Sequence, residues 1–279
     1  MNADAHAYVR RFDAVDRLLH GCLMISFLGL AATGVPLVFH DADWARSLVR
    51  VFGSFEWAGL IHRSCAALLI AVFLVHLFRV GRRIFVGKEW GVLWGYASMV
   101  PQARDVTDFV GHIKWFLGRG PRPEFDRFTY WEKFDYWAVF WGMGIIGASG
   151  LLLWFPLFFS QFVPGWVFNV ALLIHGEEAL LAVGFIFTMH FFNGHLRPEK
   201  FPMDRVIFTG LVSEEELQAE RPAEYARLQA SGELAAMRTA PPARWLLWVG
   251  TVVGTIAVSI GLILVALILY AELAGLAHL

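Results

Sequence analysis

Five long apolar runs dominate this chain, at about residues 16–39, 57–80, 134–159, 166–192 and 245–275. Crossing the hydrocarbon of a bilayer takes about 20 apolar residues in a helix, and every run reaches that length. Lipid offers no water to the backbone N–H and C=O groups, so a spanning segment satisfies them internally as a helix. The composition agrees: 57% of residues are hydrophobic, only 17% are charged, and there are 12 Trp and 25 Phe. A soluble domain is nearer half apolar and a quarter charged. The first run lacks the short core and small-residue cleavage site of a signal peptide, so it is expected to remain in place. The fold class expected is an all-α integral membrane protein with five transmembrane helices.

The net charge of −1 says little, but its distribution orients the chain. Segments 1–19, 79–133 and 196–244 hold all the Lys and Arg residues except Arg46, Arg50 and Arg63. Cytoplasmic loops are the ones enriched in basic residues close to span ends. The N-terminus is therefore expected in the cytoplasm and the C-terminus in the periplasm, in the bacterial cytoplasmic (inner) membrane.

The expected organisation is a transmembrane core over 1–205, a cytoplasmic helical segment over 206–244, and a fifth transmembrane helix with its tail over 245–279. The loops at 40–56 and 160–165 are short. Residues 81–133, around "GHIKWFLGRGPRPEFDRF", predict a surface-lying helix followed by an irregular turn. Ser213 and Glu216 have the spacing of a capping box, and Pro222 suits the first turn of another helix. Neither long loop is large enough for a catalytic domain, and nothing in the pattern invites nucleic acid. "GMGIIG", Gly142 to Gly147, matches a dinucleotide fingerprint by letters alone. That fingerprint needs a preceding strand, and here it lies inside a span, where small residues permit close helix packing. Cys22 and Cys65 both fall in spans and form no C-x-x-C-H haem-attachment motif; small apolar packing is their expected role.

The fourth run contains "LLIHGEEALLAVGFIFTMH", with His175, Glu177, Glu178 and His190. Ionisable side chains cost a few kcal/mol each in hydrocarbon and mark function by default. His20, His62 and His76 also fall within spans. On an ideal helix His62 and His76 are separated by about 21 Å, and His175 and His190 by about 22 Å. Each pair can share a helix face, one residue near each membrane surface. Two facing helices so equipped can hold two planar macrocycles, and haem iron accepts two axial imidazoles in such a site. The competing reading makes each histidine a satisfied polar residue in helix packing. A metal-transport site would instead gather its ligands near the midplane, which these histidines avoid.

Three stretches carry a family resemblance: "RLLHGCLMISFLGLAATGVPL", "IHRSCAALLIAVFLVH", and the fourth run continuing into "FFNGHLRPEKFPMD". The chain resembles the bacterial di-haem cytochrome b family of formate dehydrogenase gamma subunits and nickel-iron hydrogenase cytochromes b. The resemblance covers the four-helix core, about residues 10 to 205, and leaves the fifth span as an addition. It implies a four-helix haem-binding bundle with two haem b groups. It pairs His62 with His175 around an outer haem and His20 with His190 around an inner one. His76 is then surplus, or a rival to His20 for the inner haem. His195, after Asn193-Gly194, reads as an interfacial residue. Glu177 and Glu178 have several possible roles: facing outer water, bonding a ligand histidine, or meeting the cationic partner of a propionate. Arg63 is placed to offset propionate charge.

The function implied is electron transfer between a redox partner and membrane quinone, menaquinone or ubiquinone. The partner expected at the outer face is an iron-sulfur or multihaem cytochrome c protein, and the quinone lies near the inner haem. Whether the chain is itself an enzyme is left open. Two rivals are a haem-free metal or solute transporter and a stand-alone quinone-linked oxidase of a small donor such as superoxide.

Overall fold

The structure, a computed structural model, describes residues 8–276. Residues 1–7, at the head of the expected core, and 277–279, the tail beyond the fifth span, lie outside the described residues. Five helices among the described residues are long and apolar enough to cross a membrane: Ala14–Val38, Phe55–Phe85, Tyr130–Trp154, Trp166–Leu196 and Arg244–Ala274. The all-α membrane architecture is therefore as expected. The second helix runs past residue 80 to Phe85, through Arg79, Arg82 and Arg83; long Arg stems keep charged heads in water while the backbone stays helical. The third ends at Trp154 instead of 159. Phe155 precedes Pro156, a position pushed out of the helical region. It takes φ −119° and ψ 55°, and Pro156 opens a separate short turn, Pro156–Phe159.

Spans three and four are not uniform α-helices. Met143–Gly147, Ile186–His190 and Phe192–Leu196 are wound as π-helix. The first of these is most of the "GMGIIG" stretch, so that sequence is helical within a span. The wider π turn between His175 and His190 changes their angular register, so ideal-helix arithmetic does not carry through this segment. Such segments concentrate at functional sites.

The described chain divides into two compact units. The transmembrane unit comprises Leu19–Leu74, Ala138–Asp204 and the chain from Thr251 onward. Phe73 of span two meets Phe140 of span three, with ring centroids 5.1 Å apart. Phe27 of span one meets Phe187 of span four at 5.6 Å. Lipid is as apolar as the side chains, so close packing rather than water exclusion holds such helices together, and small residues allow it. A Cβ on Gly29 would lie 2.5 Å from the Cys65 sulfur, and both cysteines are free. The packing role expected of Cys65 is thus visible.

Span five docks on spans one and four through Leu264, which joins Ala31, Val35, Val183, Phe187 and Phe191 in one core. Its glycines receive bulky partners. A Cβ on Gly261 would lie 2.6 Å from Phe191 and 2.7 Å from Phe187, and one on Gly254 would collide with Met203. Gly261→Leu is expected to destabilise this docking by about 1–3 kcal/mol through overpacking. Thermal unfolding in detergent checks it; an unchanged midpoint would mean the two rings simply move aside.

The polar unit comprises the chain up to Leu18, Val75–Trp137 and Arg205–Gly250. Its centre is a three-stranded antiparallel sheet in the order Leu211–Ser213, Tyr8–Arg10, Arg238–Thr239. Val9 pairs with Val212 and packs with Val206, Leu217, Leu228 and Leu234. Ser213 caps the next helix by accepting a hydrogen bond from the Glu216 N–H at 3.2 Å. Pro222 starts the helix Pro222–Ser231, as its sequence position suggested. Gly210 has φ +77°, and a Cβ there would lie 2.6 Å from the Phe12 carbonyl oxygen; only glycine fits that turn. Glu224, 2% exposed, accepts from Arg11 at 2.9 Å and from Arg127 at 3.1 Å. Arg221 pairs with Glu132 at 2.9 Å.

Candidate functional site

Four of the five predicted histidines meet as two pairs in the transmembrane unit. His62 of span two faces His175 of span four, with ring centroids 6.3 Å apart and planes inclined at 72°. His20 of span one faces His190 of span four at 6.5 Å and 36°. Metal–nitrogen bonds of about 2 Å on each side, and roughly 1 Å from each nitrogen to its ring centre, would set two ligating imidazoles roughly 6 Å apart. Both pairs have the separation of imidazoles that share one metal.

All four spans of the bundle converge on the His62–His175 pair. Thr33 of span one donates to the Gly29 carbonyl at 2.6 Å, so its oxygen accepts from the His62 Nδ1, 3.1 Å away. His175 Nδ1 lies 3.0 Å from the Ile146 carbonyl of span three, which accepts but cannot donate. Ser149 donates to the Ile145 carbonyl at 2.7 Å and lies 3.3 Å from the same Nδ1. This pattern assigns the proton to Nδ1 in both rings and leaves each Nε2 lone pair for a metal. Holding a ligand imidazole by its other nitrogen is how proteins orient metal-bound histidine.

A glycine follows each hydroxyl. A Cβ on Gly34 would lie 3.1 Å from His62 Cε1, and one on Gly150 would lie 2.9 Å from His175 Cε1. Thr33-Gly34 and Ser149-Gly150 are therefore matching cradles, each clearing room for a ring and holding its rear nitrogen. Sequence reasoning did not single them out. The available signal was a hydroxyl-glycine dipeptide repeated in spans one and three.

The remaining candidates fall elsewhere. His76 bonds the Tyr136 hydroxyl at 2.9 Å, with ring centroids 5.5 Å apart, and both residues belong to the polar unit. His195 lies 6.0 Å from the Phe191 ring, and its buried Nδ1 has no hydrogen-bond partner. Trp141 donates its indole N–H to Glu178 at 3.2 Å, while Glu177 and Arg63 are exposed.

The donor set fits haem better than a bare ion. Among the described residues no group of three or more His, Cys, Asp or Glu side chains could hold a metal ion. A haem brings its own in-plane nitrogens and asks the protein only for axial ligands, which a pair can supply.

No family model matches the chain. Curated relatives do. The cytochrome b556 subunit of the nitrate-inducible formate dehydrogenase of Escherichia coli strain K12 is 21% identical over 170 residues, 61% of this chain and 70% of that protein. The cytochrome b556 subunit of a second formate dehydrogenase of the same strain is 21% identical over 174 residues, 62% of this chain and 72% of that protein. Both relatives are cytochrome b556 subunits, and this chain has five helices among the described residues that are long and apolar enough to cross a membrane. The chain is similar to the formate dehydrogenase gamma type of cytochrome b subunit, as its histidine-bearing spans imply.

Proposed function

We propose that the chain is a di-haem cytochrome b subunit that passes electrons between a redox partner and the quinone pool. His62 with His175 and His20 with His190 are the axial ligand pairs of two haem b groups. The observation that carries this reading is the double occurrence of two imidazoles at a metal-sharing separation, 6.3 Å and 6.5 Å. The relatives support it as subunits of formate dehydrogenases. The basic segments orient the His62–His175 pair toward the periplasm and the His20–His190 pair toward the cytoplasm. Quinone exchange is assigned to the cytoplasmic ends of spans one and four. The partner, an iron-sulfur or multihaem cytochrome c protein, is assigned to the outer face.

Haem, when bound, supplies a one-electron carrier whose potential follows its axial ligands and their hydrogen bonds. The chain's own contribution is positional. Thr33, Ser149 and the Ile146 carbonyl fix the tautomer and angle of two ligands, and Gly34 and Gly150 clear the room. Span five covers Phe187 and Phe191, which flank His190.

Redox-titrated visible spectra of the purified protein test the reading. Two b-type components are expected, and none in a variant lacking both pairs. Their absence from wild-type protein purified with haem available would end it. Thr33→Val removes the acceptor for His62 Nδ1 and is expected to weaken haem retention at that pair by about 10-fold or more. The titration should lose amplitude in one component only.

A further inference from the structure

The helix Ala103–Phe116 carries an apolar surface that its contacts with the protein leave uncovered. Three faces run along it. Asp105, Asp108 and His112 turn inward: Asp105 pairs with Lys133 at 2.9 Å, and His112 lies 3.0 Å from the Tyr130 hydroxyl. Thr107 and Lys114 occupy a polar exposed face. Between these faces lie Val106, Val110, Ile113 and Leu117, exposed by 65%, 44%, 42% and 62%. Their spacings of four, three and four residues draw one stripe along a helix.

We propose that this stripe is a membrane-surface anchor, embedded in the headgroup layer of the bilayer that the spans cross. Three observations favour lipid as the occupant. The helix is fastened to the first turn of span three through Lys133 and Tyr130, and Trp137 of that span donates to the Met99 carbonyl at 2.9 Å. Its height is therefore that of a span end, where hydrocarbon meets water. Trp90, Trp94 and Tyr96, just before it, are exposed by 55%, 72% and 67%, and such amphipathic rings favour headgroup depth. Lys114, Arg119 and Arg122 are basic groups on and just after the helix, the combination by which interfacial helices hold anionic lipid.

The test uses the full chain with Cys22 and Cys65 replaced by Ala, reconstituted in vesicles of phosphatidylcholine and phosphatidylglycerol. Single cysteines at Val110, Ile113, Thr107 and Lys114 each carry a polarity-sensitive fluorophore. Labels in V110C and I113C are expected to shift to the blue and to be quenched by lipid-borne nitroxides. Labels in T107C and K114C are expected to be quenched by aqueous iodide instead. The alternation between neighbouring positions also reports that the helix is folded. Iodide quenching at all four positions would overturn the proposal. So would stripe labels that are water-exposed in vesicles yet shielded in native membranes, since that outcome assigns the surface to a partner protein. Hydrogen exchange of the unlabelled chain is a second readout: slower exchange over 103–117 in lipid nanodiscs than in detergent is expected, and equal exchange counts against the anchor.

Discussion

His175→Ala and His62→Ala are each expected to leave the purified protein with one b-type haem in place of two, the same haem in both cases. His20→Ala and His190→Ala are expected to lose the other. The rings face each other at 6.3 Å and 6.5 Å, and an alanine methyl cannot reach across that separation. Haem content by pyridine haemochrome, with spectra of what remains, gives the count. His76→Ala is the control. Its ring is bonded to Tyr136 at 2.9 Å, so both haems should survive its loss. Should His76→Ala lose a haem while His20→Ala keeps both, the inner pair has been assigned to the wrong histidine.

Glu224→Ala is expected to unfold the polar unit at markedly milder conditions, by roughly 3–5 kcal/mol, the scale of breaking a buried ion pair from one side. The carboxylate is 2% exposed and serves Arg11 and Arg127 together. Burial and the neighbouring Arg11 lower the pKa of Arg127, and Glu224 opposes them. Arg127 also donates to the Arg11 carbonyl at 2.6 Å, so three distant chain segments share this node. Removing the anion leaves two cations, Arg11 and Arg127, close together without the carboxylate that offsets them. Thermal unfolding in detergent, followed by trypsin sensitivity at the freed arginines, reads the effect. Glu224→Gln should lose less, because its amide oxygen still accepts one hydrogen bond. A wild-type midpoint for Glu224→Ala would show that the node behaves as a solvated surface pair.

Much of the architecture was legible because bilayers impose a crude rule. A helix long enough to cross lipid leaves a run of apolar letters, and all five runs correspond to helices. The ends were less legible, since Arg82 and Arg83 look like loop residues but extend a helix, and Pro156 acts on the residue before it. The small sheet was missed for another reason. Its strands are two or three residues long and join residues 8–10 to 211–213 and 238–239, a pairing with no local periodicity. At the site, histidines stood out because they are costly in lipid. Thr33, Ser149 and their glycines did not, because a hydroxyl in a span can satisfy itself on its own helix, as the bonds from Thr33 to Gly29 and from Ser149 to Ile145 do. The π turn before His190 also leaves no compositional trace.

The matched cradles tie helix packing to side-chain orientation. His62 and His175 are pinned through their rear nitrogens by groups on spans one and three. The tautomer and angle of each imidazole are therefore set by the seating of a neighbouring helix. A substitution that loosens span one or span three is expected to turn a ring on span two or span four, although it touches neither histidine.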